Sequence, residues 1–236
     1  MLKVDKMIGP SFQQMWFVVQ GMRNPKNSWD KSDSYLIGDP YDTGDEWEID
    51  DFILGDKDLK LMQKLIKAGP EHRKFLRQMW LGLRITAPLY WWKEFDTYKI
   101  GTTSNSCSTM HTLMDKPFTM DMFSIDTLDK AMRDQFSRLV NILEFLREIY
   151  KEGGTLNGVR YEPKSKEIWY MIIQMLPSSF NQTRNISMNY ETVLSILTQR
   201  KGHKLSNEWG QFYLEMSCIP CSVIFKDFFE TEERDG

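Results

Sequence analysis

A long apolar stripe between residues 124 and 150 constrains the fold more than any other feature. Leu128, Ala131, Met132, Phe136, Leu139, Leu143, Leu146 and Tyr150 recur at three- and four-residue spacing. That is the period at which side chains share one side of an α-helix. Ser124 or Asp126 is expected to start this helix, and Gly153-Gly154 to stop it. Ile125, Ile142, Phe145 and Ile149 lie outside the stripe and widen the face to be buried.

The remaining segments are shorter. Residues 12–20, FQQMWFVVQ, read as a strand. Residues 22–52 are turn-rich and acidic, with Asn24-Pro25, Asp39-Pro40 and Gly44 marking a long loop, either mobile surface or a lid. Asp56 or Asp58 caps a helix through Lys67, with Leu59, Met62, Leu65 and Ile66 on one side. Met79, Leu81, Leu83 and Ile85 alternate with Trp80, Gly82, Arg84 and Thr86, which is strand period. Pro88 suits the first turn of a helix, LYWWKEFDTYK, with Trp92, Phe95 and Lys99 on one side. IGTTSNSCSTMH follows as a polar loop able to offer hydroxyls and N–H groups to an anion. Asn157-Gly158 marks a hairpin, and helices are expected over 168–176, over 188–201, and from Ser206 onward. One long helix, several shorter ones and few strands give an α+β fold with a small sheet. The reading is a single domain over 1–236, with a long loop at about 22–52 and a C-terminal extension from about 216.

Composition narrows the function. Apolar residues make up 41% and charged residues 27%, so wholesale disorder is excluded. No apolar run approaches the ~18 residues that cross a bilayer, and MLKVDKMIGP lacks a signal-peptide layout. The expected location is the cytoplasm, with no membrane partner. Thirty Lys and Arg against 33 Asp and Glu make a nucleic-acid partner unlikely. The three cysteines are too few for a disulfide framework, and Cys218-Ile-Pro-Cys221 lacks two further ligands for zinc. No metal is expected.

Two stretches, taken together, resemble the flavin-dependent thymidylate synthases, the ThyX family. One is Pro88 through Lys99 with the loop Ile100 to Met110, set against a family pattern like P-I-F-x-x-R-Q-W-x-R-H-R and then x-x-S-x-N-E-x-S-x-R-Y. Lys93 falls on the pattern's first Arg, Glu94 on Gln and Phe95 on Trp; Thr97-Tyr98-Lys99 fall on Arg-His-Arg. Thr102 falls on the first Ser and Cys107, or Ser108 with a one-residue shift, on the second. Ser104-Asn105 and Thr109-Met110 replace Asn-Glu and Arg-Tyr. The second stretch fits better: Asn189, then Arg200 eleven residues on, then His203 and Trp209, preceded by Leu176-Pro177 and Thr183. Glu71-His72 resembles the family's Glu-His before the strand, at a longer spacing to Pro88.

The resemblance implies a ThyX-like fold, a homotetramer, and FAD held between subunits. It implies reductive methylation of dUMP to dTMP, with NADPH recharging the flavin and methylenetetrahydrofolate as one-carbon donor. It implies catalytic roles for Cys107 and Ser108 and substrate contacts from Arg200, Glu94, Ser106, Cys107 and Ser108. It further implies cofactor contacts from Asn189, Thr97, Tyr98, Lys99, Thr102, His72 and His203. Other readings stand beside these. Cys107 is a thiolate nucleophile toward C6 of a pyrimidine, a ligand-loop residue or packing. Arg200 is a phosphate contact or a helix-end cation. Asn189 is a flavin contact or an N-cap. His72 and His203 are ligand groups or local caps, and Trp91-Trp92 is core or a stacking platform. Only one cation, Lys99, survives in the Arg-His-Arg triplet, and it lacks the planar fork of Arg. The alternatives to a thymidylate synthase are therefore a non-catalytic ThyX-fold protein that binds a nucleotide or partner, or an enzyme altering another pyrimidine nucleotide.

Overall fold

The computed structural model describes residues 2–38 and 49–229. In chain order the elements are β1 (Lys3–Ile8), α1 (Phe12–Arg23), β2 (Tyr35–Gly38), β3 (Ile49–Ile53), α2 (Asp56–Ala68), β4 (Trp80–Pro88), α3 (Leu89–Phe95) and β5 (Thr102–Ser106). There follow α4 (Thr109–Thr112), α5 (Lys130–Glu152), β6 (Gly154–Leu156), β7 (Val159–Tyr161), α6 (Lys166–Met175), β8 (Asn181–Asn189), α7 (Tyr190–Gln199), α8 (Ser206–Ser217) and α9 (Lys226–Phe229). One four-stranded sheet has the order β1-β4-β8-β5, and the hairpins β2-β3 and β6-β7 stand separately. The architecture is α+β, as expected. Among the described residues no helix is long and apolar enough to cross a membrane.

The chain divides into two compact units. The first comprises Ile85–Thr97 and Asn105–Arg184 with the first three residues. Its core forms where Val140, Leu143, Leu146 and Ile149 of α5 meet Ile168 and Ile172 of α6 and the rings of Phe118, Phe123 and Phe180. The expected long helix is present but starts later than its apolar pattern. Asp129 caps it, its Oδ1 accepting from Met132 N at 2.8 Å. Ser124 is drawn elsewhere: its N–H donates to Ser179 O and its hydroxyl to Asn181 Oδ1. Met132, placed in the buried stripe from spacing, is 53% exposed, whereas Ile149 is buried. Arg147 is buried, forks onto both oxygens of Glu144, and donates to Met114 O. Asn157 (φ 51°) and Gly158 (φ 80°) turn the β6-β7 hairpin as expected. In α3, Trp91 and Trp92 are core residues, 0% and 1% exposed.

The second unit comprises Val4–Arg84, Tyr98–Ser104 and the chain from Asn185 on. Residues 12–20 are not a strand but most of α1. Ser11 Oγ accepts from Gln14 N, and Met15, Val18, Val19 and Met22 are buried at i, i+3, i+4 and i+7. The 22–52 stretch is likewise not all loop: β2 and β3 pair antiparallel within it, Tyr35 opposite Ile53. Asp39-Pro40 and Gly44 lie outside the described residues. Helix α2 forms, though neither Asp56 nor Asp58 caps it. Asp33 does so from a distance, its carboxylate accepting from Lys57 N and Asp58 N. Asp58 instead closes a buried clasp with Arg23 at 2.6 Å, and also accepts from the Ser32 and Ser34 hydroxyls. Burial works to raise its pKa, but the hydrogen bonds from Ser32, Ser34 and Arg23 outweigh this and hold it below the ordinary carboxylate value.

Strand β4 follows the expected alternation, with Met79, Leu81, Leu83 and Ile85 buried. Two other expectations fail. Residues 181–189 form a strand, so the helix expected from Met188 begins at Tyr190. The polar stretch 100–111 contains β5 and α4, not one continuous loop. Helix α8 begins at Ser206, as read.

Candidate functional site

The sequence-predicted residues fall into two groups, one in each unit. In the first unit, Ser106 ends β5, and Cys107 and Ser108 lead into α4. Cys107 N donates to Thr183 O at 2.9 Å, and its carbonyl accepts from Gln182 Nε2 at 3.0 Å. The Ser108 carbonyl accepts from the N–H and hydroxyl of Thr112. The backbone is thus held at consecutive residues, while the side chains of Ser106 and Cys107 remain exposed. Cys107 Sγ lies 3.5 Å from the Thr112 hydroxyl, a neutral group and not a base. Glu94 is half-buried on α3, and its carbonyl accepts from the N–H and hydroxyl of Thr97.

The triplet expected on the helix is not on it. Helix α3 ends at Phe95 with Asp96 as its C-cap, so Thr97, Tyr98 and Lys99 lie beyond its last turn. Lys99 is exposed there and does not continue the side formed by Trp92 and Phe95.

In the second unit, Asn189 is the N-cap of α7: its Oδ1 accepts from Thr192 N at 2.9 Å and from the Thr192 hydroxyl at 3.1 Å. Its N–H donates to Gly101 O. Gly101 has φ +70°, and a Cβ there would come within 2.2 Å of Asn189 Nδ2, so only glycine admits this approach. The hydroxyl of Thr102, next in the chain, is buried without a hydrogen-bond partner among the described residues. That is the kind of orphaned group a bound ligand satisfies.

Arg200 is the C-cap of α7. Its guanidinium lies 5.3 Å from the Tyr98 ring and 5.2 Å from the Trp209 ring. His203 is 6.1 Å from Trp209, ring to ring, and its Nδ1 accepts from Leu205 N. Tyr98, Arg200 and His203 are thereby brought to one place, with Trp209 at its centre. Arg200, Lys201, His203, Ser206, Trp209 and Tyr213 line a cleft of about 220 Å³. Cations, a hydroxyl and aromatic faces together suit a ligand that carries phosphate on a flat ring system. Pockets that enclose drug-sized ligands run to ~300–1,000 Å³, so this cleft holds one end of such a ligand, not the whole. His72 is exposed, and its N–H donates to Gly69 O in the turn after α2.

Sequence reasoning missed Gln182 and Arg184. Arg184 lies 4.2 Å over the Trp92 ring, donates to Asp96 at 2.7 Å, and donates through Nε to Gln182 Oε1 at 2.9 Å. Trp92 is thus a core residue whose face also carries Arg184. The signal was the i, i+2 spacing of Gln182 and Arg184, visible only once residues 181–189 are known to be a strand. Lys201, Ser206 and Tyr213 were missed because they gather only through the turn at Gly202. At the other cysteines, Cys218 is exposed, while burial pushes the Cys221 thiol up to about 11. Among the described residues no three His, Cys, Asp or Glu side chains group as metal ligands.

No family model matches the sequence, and no curated protein does. Solved structures do. Thymidylate synthase X (ThyX) from Helicobacter pylori, with FAD and dUMP, matches at a TM-score of 0.64 and 15% identity, over 98% of this chain and 99% of that one. A second structure of the flavin-dependent thymidylate synthase ThyX from Helicobacter pylori, complexed with FAD and dUMP, matches at 0.61 and 15% identity, over 97% of each. At that identity the likeness shows the architecture alone, and the architecture of this chain is a ThyX-like fold.

Proposed function

We propose that the protein is a divergent flavin-dependent thymidylate synthase, converting dUMP to dTMP with FAD, NADPH and methylenetetrahydrofolate, and working as a homotetramer. The observation that carries this reading is Arg200 on the wall of a cationic, aromatic cleft, at the position that resembles the family's arginine, in a chain with a ThyX-like fold over nearly its whole length. Arg200 and Lys201 are the groups for a nucleotide phosphate, since charge-assisted bonds to phosphate are the strong ones. Trp209, Tyr98 and His203 offer faces to a flat ring. The unpartnered Thr102 hydroxyl and the Asn189 amide are the proposed cofactor contacts in the same unit. In the first unit, Ser106, Cys107, Ser108 and Glu94 are the proposed pyrimidine contacts. The exposed side chains of Ser106 and Cys107 on a held backbone suit groups that must meet a ligand at a fixed place. FAD, when bound, supplies the hydride; the chain's residues bind and orient.

A second reading is a ThyX-fold protein that binds a nucleotide without catalysis, or alters a different pyrimidine. One observation favours it: α3 ends before Thr97, so the triplet that would face a flavin lies beyond the helix, with one exposed lysine as its cation.

The test is a titration of the full chain with FAD, followed by absorbance and flavin fluorescence, then with dUMP, then turnover with all co-substrates. FAD uptake, dUMP binding and dTMP formation establish the enzyme. Uptake of both without any product moves the protein to the second reading. A colourless chain that takes up neither sinks both.

A further inference from the structure

We infer that Gln182 is a positioning residue, which sets the Ser106–Ser108 turn by holding the Cys107 carbonyl. The inference rests on the reading above, in which that turn meets a pyrimidine nucleotide.

A glutamine amide carries one acceptor oxygen and one donor NH₂, and packing alone does not fix which way it points. Here chemistry fixes it. Arg184 has only donors, and its Nε lies 2.9 Å from Gln182 Oε1. The NH₂ is left to face the Cys107 carbonyl, at 3.0 Å. A flipped amide would set NH₂ against guanidinium N–H and oxygen against carbonyl oxygen, losing both bonds at a residue only 9% exposed. Arg184 is itself fixed from two sides, by the face of Trp92 at 4.2 Å and by Asp96 at 2.7 Å. The Gln182 backbone is fixed as well, its carbonyl accepting from Trp92 Nε1 at 2.9 Å.

The order of control runs from α3 through β8 to the turn. Trp92 and Asp96 place Arg184, Arg184 orients Gln182, and Gln182 holds the Cys107 carbonyl. With Thr183 O accepting the Cys107 N–H, both peptide groups flanking the Cys107 side chain are bound to β8. The thiol and the Ser106 hydroxyl keep their exposure and lose their freedom of placement. A group held in this way binds without an ordering cost, and its misplacement weakens contacts it does not itself make.

Gln182→Glu isolates the link. The carboxylate still accepts from Arg184 but cannot donate to Cys107 O, so the turn is released while the Arg184 contacts stay. Hydrogen exchange of the 105–112 amides is expected to rise several-fold, and the dUMP Kd of the FAD-loaded chain to rise about tenfold, the worth of one such bond. The FAD Kd and the melting temperature should hold, which a merely structural role would not allow. Gln182→Met, of similar volume and without donor or acceptor, serves if the glutamate variant does not fold: it also strips Arg184 Nε of its acceptor, so its melting temperature should fall, while exchange of the 105–112 amides and the dUMP Kd rise as before. Unchanged exchange in the folded variants overturns the relay. So does raised exchange with an unchanged dUMP Kd. A wild-type chain that takes up no dUMP is a different failure: it removes the ligand, overturns the reading above, and takes the positioning role with it.

Discussion

Arg184 and Arg200 each lie against aromatic rings, and the two sites differ in their surroundings. Arg184, in the first unit, has the carboxylate of Asp96 at 2.7 Å and the Gln182 oxygen at 2.9 Å. Arg200, in the second, lines a cleft whose other walls include Lys201 and His203. A cation matched by an acid of its own unit serves the architecture. A cation that lines a cleft is placed to meet a ligand. Similar stacking therefore occurs at an enclosed site and on the wall of a cleft, and the two settings make different predictions.

The largest effect that separates the two sites is expected from their aromatic partners. Trp92→Ala removes a ring 1% exposed, its bond to Gln182 O and the platform for Arg184. It should cost about 3–5 kcal/mol of stability in denaturant unfolding. Tyr98→Ala, at a half-buried ring, should cost less than half as much. Equal losses would mean that the Arg200 site is as architectural as the Arg184 site.

Next come the arginines themselves. Arg200→Ala should weaken dUMP binding by about 1.5–3 kcal/mol, a charge-assisted phosphate contact. Its two ring contacts set the folding cost at about 0.5–2 kcal/mol, above the ~0.3–1 kcal/mol of a plain helix-end cation. A variant that melts far lower yet binds dUMP normally makes Arg200 structural. Arg184→Met should lower stability by about 1–2 kcal/mol, mostly through the lost ring contact, because Asp96 is half exposed and its pairing is screened.

Acid unfolding compares the units through another pair of carboxylates. The Arg147 hydrogen bond holds Glu144 of the first unit below the usual glutamate range, and the Arg77 hydrogen bond does the same for Glu191 of the second. A depressed folded pKa contributes stability above the unfolded value, and that contribution is lost as pH falls through the folded one. Both should therefore weaken the fold only below about pH 4.5. Arg147 is 10% exposed and Arg77 51%. Glu144→Gln should flatten the acid limb of a stability-against-pH curve more than Glu191→Gln, and salt should affect the second pair more. The reverse order would show that exposure does not set the strength of these pairs.

Helix α5, strand β4 and the 157–158 turn were legible because their signals are local and periodic. The start of α5 was not, because Ser124 is claimed by Ser179 and Asn181, far off in sequence. Helix α1 was read as a strand, and its stretch FQQMWFVVQ does hold aromatic and β-branched residues of the kind strands favour. Met22, which completes the i+7 spacing, lies outside the 12–20 stretch. Strand β8 was missed because its buried residues include Gln182 and Asn189 as well as Ile186 and Met188, so the apolar alternation is thin. Without the strand, the Gln182–Arg184 pair could not be seen. Arg200 was legible from its place at a helix end, yet its contact with Tyr98 joins residues 102 apart in the chain, which no spacing rule reaches.

The smallest expected effect tests whether the Arg200 site has a helper. Lys99 is the one cation of the Thr97-Tyr98-Lys99 triplet, and it stands exposed past the end of α3. Lys99→Met keeps most of the stem and removes the charge, so packing should survive. An exposed ion pair is worth ~0.2–1 kcal/mol, so FAD affinity should fall at most about fivefold, and its salt dependence should become shallower because one screened pair is gone. Thr97→Arg runs the other way. Thr97 is exposed, with its hydroxyl donating to Glu94 O, so the fold should tolerate the change. It should tighten FAD only where a phosphate oxygen lies within reach and lacks a cation. If Lys99→Met weakens FAD as much as Arg200→Ala weakens dUMP, exposure is a poor guide to where ligand charge is met. If both triplet variants leave FAD binding as it was in a wild type that does bind it, the triplet has left the flavin site, and the cleft around Arg200 carries the charge recognition without it.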